Sequence, residues 1–229
     1  MNERLYLIEL FAGSQSVSKS LRKHSPSVRV LSLDNDPTTY PSIAHDINTW
    51  NYKSDIANFL SDSRKNDYIV VWASPPCTAF SFANTTGKRD LKGGSRNVKT
   101  ALRIIRHVRP KFWFMENPVG LLKEMPFMQK YAKYRNTCSY CKYGTKYRKN
   151  SNIWSNVPEL NLLKCVGDAR CEHRKKHGVH AATAQKGPSG TRASWVPGSK
   201  SGKHVYAIPS RLVNYLFAKG AAYADLNLR

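Results

Sequence analysis

The sequence predicts an α/β domain in which a parallel sheet carries helices on both faces. Apolar runs of strand length alternate along the chain with amphipathic stretches at helical spacing. Several of these runs are nearly continuous, as expected for strands that are buried on both faces. The 229 residues also match the size of one compact domain with a small appendage.

The first half of the chain shows this alternation clearly. Residues 5–12 form an apolar run closed by Gly13, and Val17 and Leu21 continue as an amphipathic helix. The next predicted elements are a strand at 28–33, an acid-tipped element at 43–46, a helix at 54–60 and a strand at 68–73.

The second half begins with a polar, glycine-containing loop at 84–96. It continues with a helix from Val98 to Val108, a strand at 111–115, short β-like pieces at 134–154 and a helix at 209–218. We therefore expect an α/β domain at 1–154, a small, irregular basic insert at 155–204 and a C-terminal helix within 205–229 that returns to the domain.

The charge predicts a polyanionic partner. Lys and Arg number 37 against 15 Asp and Glu, which gives a net charge of +22. Residues 130–204 hold 16 of these cations and only 3 acids, so most of the excess lies in one part of the chain. Nucleic acid is the first candidate and an anionic membrane surface the second, while a merely solvated basic face is the alternative.

The chain has five cysteines, is long enough to fold without disulfides and shows no signal peptide. These features predict reduced thiols in an intracellular compartment, which is the cytoplasm, the nucleus or the nucleoid. The apolar runs are far shorter than the ~20 residues of a membrane span. Cys138-x2-Cys141 has knuckle spacing and, with Cys165 and Cys171 and the histidines that follow, offers enough ligands for zinc. A set of partly buried thiols is the alternative.

Chemically useful residues follow the predicted strands, where ligands of parallel sheets bind. A small-residue turn at 11–13 suits close approach of a ligand, and acids follow the second and third strands. Cys77 comes directly after Ser74-Pro75-Pro76, whose prolines fix the backbone, and Glu116 ends the neighbouring strand. The thiol and the carboxyl predict a reaction centre, although a lone Cys is often simply a small buried side chain.

These blocks resemble the cytosine-C5 DNA methyltransferases. The similar segments are ELFAGSQS at 9–16, SPPCTAFS at 74–81, MENP at 115–118, CKYGTKYRKNSNIWSN at 141–156 and VYAIPSRLVNYLFA at 205–218. The 141–156 segment has the form common to phage and viral members. The resemblance implies a Rossmann-like, S-adenosylmethionine-dependent methyltransferase fold in which the insert at 155–204 serves target recognition. It also implies a monomer that methylates double-stranded DNA and releases S-adenosylhomocysteine.

The resemblance assigns roles to individual residues. Cys77 would add to C6 of a flipped-out cytosine, and Glu116 would hold or protonate N3. The implied catalytic residues are Cys77, Glu116, Asn117 and Asn152. The implied cofactor-binding residues are Phe11, Ala12, Gly13, Ser14, Asp34, Asn35, Asp46, Ile47, Pro76 and Ala207, with Asp34 on the ribose and Asp46 and Ile47 on the adenine.

Nucleic-acid contacts are expected from a loop, from the block before the insert and from the insert itself. The residues are Ser81, Lys88, Arg89, Arg96, Arg148, Lys149, Arg174, Lys175, Lys176, Gln185, Lys186 and Arg192. Most of the cations should touch phosphate, whereas an amide such as that of Gln185 can pair with adenine. The loop at 79–96 is expected to be a mobile lid over the flipped base, with an ordinary surface loop as the alternative.

Five residues depart from the family pattern, in four places. Gln15 replaces a glycine, Asn150 and Asn152 stand where arginines usually reach the cytosine oxygen, Val205 replaces an asparagine and Pro118 replaces a valine. Arg148 or Lys149 can supply the charge that an amide lacks. These departures keep two alternatives open, an RNA cytosine-C5 methyltransferase and a catalytically impaired protein that binds nucleic acid.

Overall fold

The computed structural model describes residues 3–82, 88–166, 180, 182–183, 194–195 and 206–226. A seven-stranded sheet forms its centre, in the order β3-β2-β1-β4-β5-β7-β6. The strands are β1 (Leu5–Leu10), β2 (Arg29–Asp34), β3 (Ile43–Ala44), β4 (Tyr68–Ala73), β5 (Phe112–Pro118), β6 (Arg135–Ser139) and β7 (Asn150–Ser155). A separate parallel pair joins β8 (Ala182–Thr183) to β9 (Ser194–Trp195).

The sheet is mixed, whereas the sequence predicts a parallel one. Strands β1 to β5 are parallel, but β7 runs antiparallel to both β5 and β6. Antiparallel neighbours need only a short connection, and residues 140–149 supply it between β6 and β7. The β-like pieces expected at 134–154 therefore extend the main sheet, and the expected α/β class is confirmed.

Within the described part of the chain, four α-helices cover the two faces. They are α1 (Ser16–Arg22), α2 (Tyr52–Phe59), α3 (Leu91–Val108) and α4 (Ser210–Leu226). Short 3-10 helices occupy Pro37–Thr39, Leu121–Glu124, Pro126–Tyr134 and Tyr140–Tyr143. Alternate strand residues point to opposite faces, so β4 sends Trp72 to a cluster that contains α1 and α4 and Val71 to a cluster that contains α2 and α3.

Helix α3 begins at Leu91, so the expectation of a loop as far as Arg96 is wrong. The Asp90 carboxylate accepts a hydrogen bond from the Gly93 amide at 2.8 Å and caps the helix. Gly94 packs so closely that a Cβ there would lie 2.6 Å from the Ala79 Cβ. The glycines at 93 and 94 thus belong to a packed helix start rather than to a lid, while residues 83–87 lie outside the described part of the chain.

The beginning of the expected insert packs on the sheet. Val157 and Leu160 are buried in the same cluster as α4, and Cys165 is 3% exposed. The Tyr215 hydroxyl of α4 also donates to the Leu160 carbonyl at 2.8 Å. Since much of 167–205 lies outside the described residues, the division at 154 and 204 stays a prediction.

Close packing of α4 on the sheet gives a stability prediction. A Cβ at Gly220 would lie 2.5 Å from the buried Phe112 ring, so Gly220→Val should lower the free energy of unfolding by about 1–3 kcal/mol. Ala222 is exposed on the same helix, and Ala222→Val should change the free energy of unfolding by less than about 1 kcal/mol. Urea denaturation of both variants measures the difference, and equal effects would contradict this packing.

Candidate functional site

A cavity of about 350 Å³ opens at the carboxyl ends of β1, β2, β4 and β5. The residues around it come from the blocks that the sequence singled out. They are Glu9, Phe11, Ala12, Gly13, Ser14, Ser16, Val17, Asp34, Asn35, Ser74, Pro75, Pro76, Cys77, Thr78, Glu116, Pro118, Lys149, Tyr206 and Ile208. The predicted thiol, carboxyl and small-residue turn therefore share one cavity.

The loop that carries Cys77 is fixed from both sides. The Ser74 amide donates to the Leu10 carbonyl at 3.1 Å, and the Asn117 side-chain amide donates to the Pro75 carbonyl at 2.9 Å. After the cysteine, the Phe80 and Ser81 amides both donate to the Cys77 carbonyl. The thiol is thereby held at the cavity edge, where its side chain is half-buried.

Opposing effects act on the pKa of the Cys77 thiol. Burial raises it most, and the Glu116 carboxylate raises it further. The Lys149 ammonium lowers it because a nearby positive charge favours the thiolate. Lys149 is thus a cation of this cavity that favours the nucleophilic form of Cys77.

The Glu116 carboxyl is held by two neighbours. It is 4% exposed, and its Oε1 accepts a hydrogen bond from the Tyr140 hydroxyl at 2.8 Å. The Lys149 Nζ lies 3.5 Å from the same oxygen and 4.8 Å from the centre of the Tyr140 ring. Burial and the Glu116 charge raise the pKa of Tyr140, which therefore stays a donor. Tyr140 was missed from the sequence, since it lies one residue before the family-like block at 141–156.

In the small-residue turn, every second residue from Phe11 to Gln15 has a left-handed backbone conformation. Phe11, Gly13 and Gln15 have φ of 59°, 46° and 55°. The Gly13 amide donates to Asp34 Oδ2 at 2.7 Å, which joins the ends of β1 and β2. The Gln15 side chain donates to the Thr39 and Tyr40 carbonyls at 2.8 and 2.7 Å. Gln15 therefore accepts the conformation that a glycine would have, and its side chain turns away to brace a neighbouring segment.

Glu9 is a second group that sequence reasoning missed. It lines the cavity but is only 2% exposed, and its Oε2 accepts a 3.3 Å hydrogen bond from the Ser18 amide. Burial raises its pKa to about 7, against smaller lowering effects from Ser18, Val17 and Arg22. The apolar character of residues 5–12 conceals this acid, because it stands within the run that becomes β1.

A second cavity of about 340 Å³ adjoins the first, since Asn35, Pro76 and Thr78 line both. Its walls include Asp46, Lys88 and Arg96. Asp46 Oδ1 accepts hydrogen bonds from the backbone and side-chain amides of Asn48, both at 2.9 Å. The two expected cofactor acids, Asp34 and Asp46, thus lie in adjoining cavities.

Several expected site residues lie outside both cavity walls. Ile47 is buried in the core, and Ala207 sits between Tyr206 and Ile208, which do line the first cavity. Asn117 and Asn152 are register partners on β5 and β7. They share the sheet face opposite Glu116, because successive strand residues alternate.

Asn152 is therefore not brought to the reaction centre, in contrast to the expectation. It is buried, and its Oδ1 accepts a hydrogen bond from the Thr137 hydroxyl at 2.9 Å. Asn117 was expected to be catalytic, but its side chain instead donates the hydrogen bond to Pro75 that positions the Cys77 loop. Lys149, which precedes β7, is the polar side chain that reaches the cavity from this block.

The residues expected to contact nucleic acid differ in their exposure and in their hydrogen bonds. Lys88, Arg96 and Arg148 are exposed, and Arg148 Nε donates to Asn150 Oδ1 at 3.3 Å. Arg89 instead donates to the carbonyl of Ser81 at 2.8 Å and so braces the loop after Cys77. The expected contacts in the insert lie outside the described residues: Arg174, Lys175, Lys176, Gln185, Lys186 and Arg192.

The expected zinc ligands separate into two groups. Cys138 is buried in the core, and burial raises its pKa to about 12. Cys141 and Cys165 instead come together with His180, while Cys171 lies outside the described residues. His180 is one of the histidines that the sequence offered as further ligands.

The mixed sheet with helices on both faces has a Rossmann-like α/β fold. The solved structure of the Entamoeba histolytica methyltransferase EhMeth matches the fold with a TM-score of 0.51 at 16% identity, over 72% of this chain and 57% of that one. The chain thus spans little more than half of that structure. Among the described residues, no helix has the length and apolarity needed to cross a membrane.

Sequence comparison gives the family. A model described as C-5 cytosine-specific DNA methylase matches residues 5–155. A probable DNA (cytosine-5)-methyltransferase of Frog virus 3 is 27% identical over 187 residues, which cover 75% of this chain and 79% of that protein. The type II methyltransferase M.CviJI of Paramecium bursaria Chlorella virus IL3A is 30% identical over 112 residues, or 48% of this chain and 29% of that protein.

The chain therefore belongs to the C-5 cytosine-specific DNA methylase family. This confirms the enzyme class that the sequence predicts, and the family implies an S-adenosylmethionine cofactor and a DNA substrate. Both curated relatives are viral proteins, as the phage and viral form of the 141–156 segment indicated.

The buried Glu9 carboxyl gives a pH prediction. The folded protein binds its proton more tightly than the unfolded chain, so its stabilising effect is complete below pH 4.5 and is lost as the pH rises through about 7. Glu9→Gln should therefore change stability little at pH 5 and increase it by up to about 3 kcal/mol at pH 8. Urea denaturation at the two pH values measures this, and a pH-independent difference would contradict a raised pKa.

Proposed function

We propose that this cavity methylates cytosine C5 in double-stranded DNA through a covalent bond between Cys77 and the base. The observation that carries the proposal is that Cys77, Glu116 and Lys149 line one cavity with the turn at 11–14 and Asp34. A nucleophile, an acid and a cation are thereby placed beside a site for a polar cofactor. We also propose a monomeric, intracellular enzyme with the insert as its target-recognition part.

The cavity residues fit S-adenosylmethionine. Asp34 has carboxylate oxygens beside the turn, which suits ribose hydroxyls, and Glu9 offers a buried carboxylate to a cationic ligand. The left-handed turn at Phe11 and Gly13 brings backbone to the cavity wall. Asp46 in the adjoining cavity would accept from the adenine amine. When bound, this cofactor supplies an electrophilic methyl group.

Cys77 begins the reaction by losing its proton and adding to cytosine C6. The thiolate is needed because the thiol is a poor nucleophile. Burial opposes this ionisation, and the Lys149 charge favours it. The new C–S bond moves an electron pair into the ring and makes C5 nucleophilic. C5 then accepts the methyl group, water takes up the C5 proton, and the C–S bond breaks to release the thiolate and restore the aromatic ring.

Glu116 and Lys149 stabilise the charge that the ring acquires. Tyr140 occupies Glu116 Oε1, which leaves Oε2 to carry a proton that it donates to cytosine N3. Lys149 lies beside this carboxyl and can donate to the cytosine oxygen in place of the arginines that this chain lacks. A preformed cation in a partly buried cavity stabilises an anion more strongly than one in water.

Methyl transfer tests the reaction and the role of Cys77. The protein should transfer label from S-adenosylmethionine to duplex DNA, and nucleoside mass spectrometry should detect 5-methyldeoxycytidine. Cys77→Ala should reduce transfer on the order of 10³-fold or more. Cys138→Ala, which removes a thiol outside the cavity, should retain most activity. Label in RNA alone, or full activity without the Cys77 thiol, would contradict the proposal.

Lys149→Met tests the proposed cation. Loss of the charge should raise the Cys77 pKa further, so the rising limb of the pH–rate profile should move to higher pH. The rate near neutral pH should fall about 10- to 100-fold. The exposed neighbour Lys146 supplies the matched control Lys146→Met, which should leave that limb in place. An unmoved limb in Lys149→Met would show that another group sets the thiolate.

A further inference from the structure

A second reactive cluster lies apart from the catalytic cavity. The ligand atoms of Cys141, Cys165 and His180 all lie within 4.8 Å of one another, and none of the three lines either cavity described above. We propose that these three side chains bind a zinc ion, which serves as a structural link between the sheet domain and the insert.

The measured spacing suits tetrahedral zinc. Bonds of about 2.3 Å to sulfur and 2.0–2.1 Å to nitrogen place the two ligand atoms about 3.5–3.6 Å apart at the tetrahedral angle. The Cys165 Sγ and His180 Nε2 atoms are 3.6 Å apart. Two sulfurs on the same ion should be about 3.8 Å apart, so Cys141 Sγ needs to move by no more than about 1 Å.

Hydrogen bonds donated by backbone amides hold the segments that carry the two thiols close together. The Cys165 amide donates to Ser139 Oγ at 2.8 Å, and the Ser139 amide donates to the Leu163 carbonyl at 3.0 Å. The Leu163 amide donates to the Tyr143 hydroxyl at 2.9 Å. Residues 163–165 are thus tied to the 3-10 helix Tyr140–Tyr143, which carries Cys141. A site arranged in this way loses little entropy when the metal binds.

Access and charge also favour zinc. Cys165 is 3% exposed, while Cys141 and His180 are half-buried, so the cluster is partly open to solvent. Two thiolates and a neutral imidazole balance the charge of Zn²⁺. A water molecule or a further side chain completes the fourth position.

This ligand set differs from one based on cysteine spacing. Cys138 of the knuckle-like pair is buried in the core and is not part of the cluster. His180 takes a ligand position instead. Cys141 belongs to the family-matched residues 5–155, whereas Cys165 and His180 follow them. The ion therefore ties two points of the basic insert to a segment adjoining Tyr140, which holds Glu116.

Metal analysis of the full chain tests the proposal. Protein made without a histidine tag, in zinc-supplemented medium and without chelators, should contain about one zinc per chain. Cys141→Ser, Cys165→Ser and His180→Asn should each weaken zinc binding at least about tenfold. Cys138→Ala and Cys77→Ala should retain the full stoichiometry. Circular dichroism of each variant establishes that it folds.

Cobalt provides a readout that needs no variant. Folded wild-type protein loaded with Co²⁺ should show the visible bands of tetrahedral cobalt and near-ultraviolet sulfur-to-cobalt charge transfer. Zinc should abolish both. Wild-type protein with a zinc content near zero and no such cobalt bands would overturn the proposal. Retention of zinc when all three residues are replaced, or a Cys141–Cys165 disulfide found by peptide mapping of freshly purified protein, would also overturn it.

Discussion

The site depends on the register between β4 and β5. These neighbouring parallel strands pair Ala73 with Met115, so their carboxyl ends meet at one edge of the sheet. The backbone continues from one strand to Cys77 and from the other to Glu116, and both side chains enter the same cavity. The Asn117–Pro75 hydrogen bond holds the two ends together. A shift of one residue in β5 would turn Glu116 to the opposite face.

The antiparallel direction of β7 adds the cation. Because β7 runs against β5, its first residues lie beside the last residues of β5. Lys149, just before β7, therefore reaches the same sheet edge as Cys77 and Glu116. A parallel β7 would place its beginning at the far edge. In the proposed reaction, the antiparallel hairpin thus places Lys149 where it can act in place of the missing arginines.

Much of the fold and the reactive pair could be predicted from sequence. Apolar runs mark strands, and the residues just after them mark ligand sites, which is why Cys77, Glu116 and Asp34 were found. The direction of β7 and the face of Asn152 depend on register, which periodicity does not define. Tyr140 and Glu9 were missed because their roles come from tertiary burial. The start of α3 was missed because glycines at 93 and 94 conceal a capped helix.

The acids of this basic chain are few, and three of them line the cavity. Glu9, Asp34 and Glu116 do so in a protein with a net charge of +22. Surface cations can attract DNA over a Debye length, whereas buried carboxylates act only on groups in contact with them. In the proposed function, the charge distribution therefore separates two tasks: surface cations hold a polyanion, and cavity acids position a cationic cofactor and a base.

In the proposed reaction, the Cys77 thiolate forms a covalent bond with C6 of the cytosine ring. Duplex DNA containing 5-fluorodeoxycytidine tests it most directly, because fluorine at C5 blocks the elimination that releases the enzyme. Peptide mapping by mass spectrometry after incubation with S-adenosylmethionine should find the nucleotide on the peptide that contains Cys77. An adduct on another residue, or methyl transfer without any trapped adduct, would contradict the account.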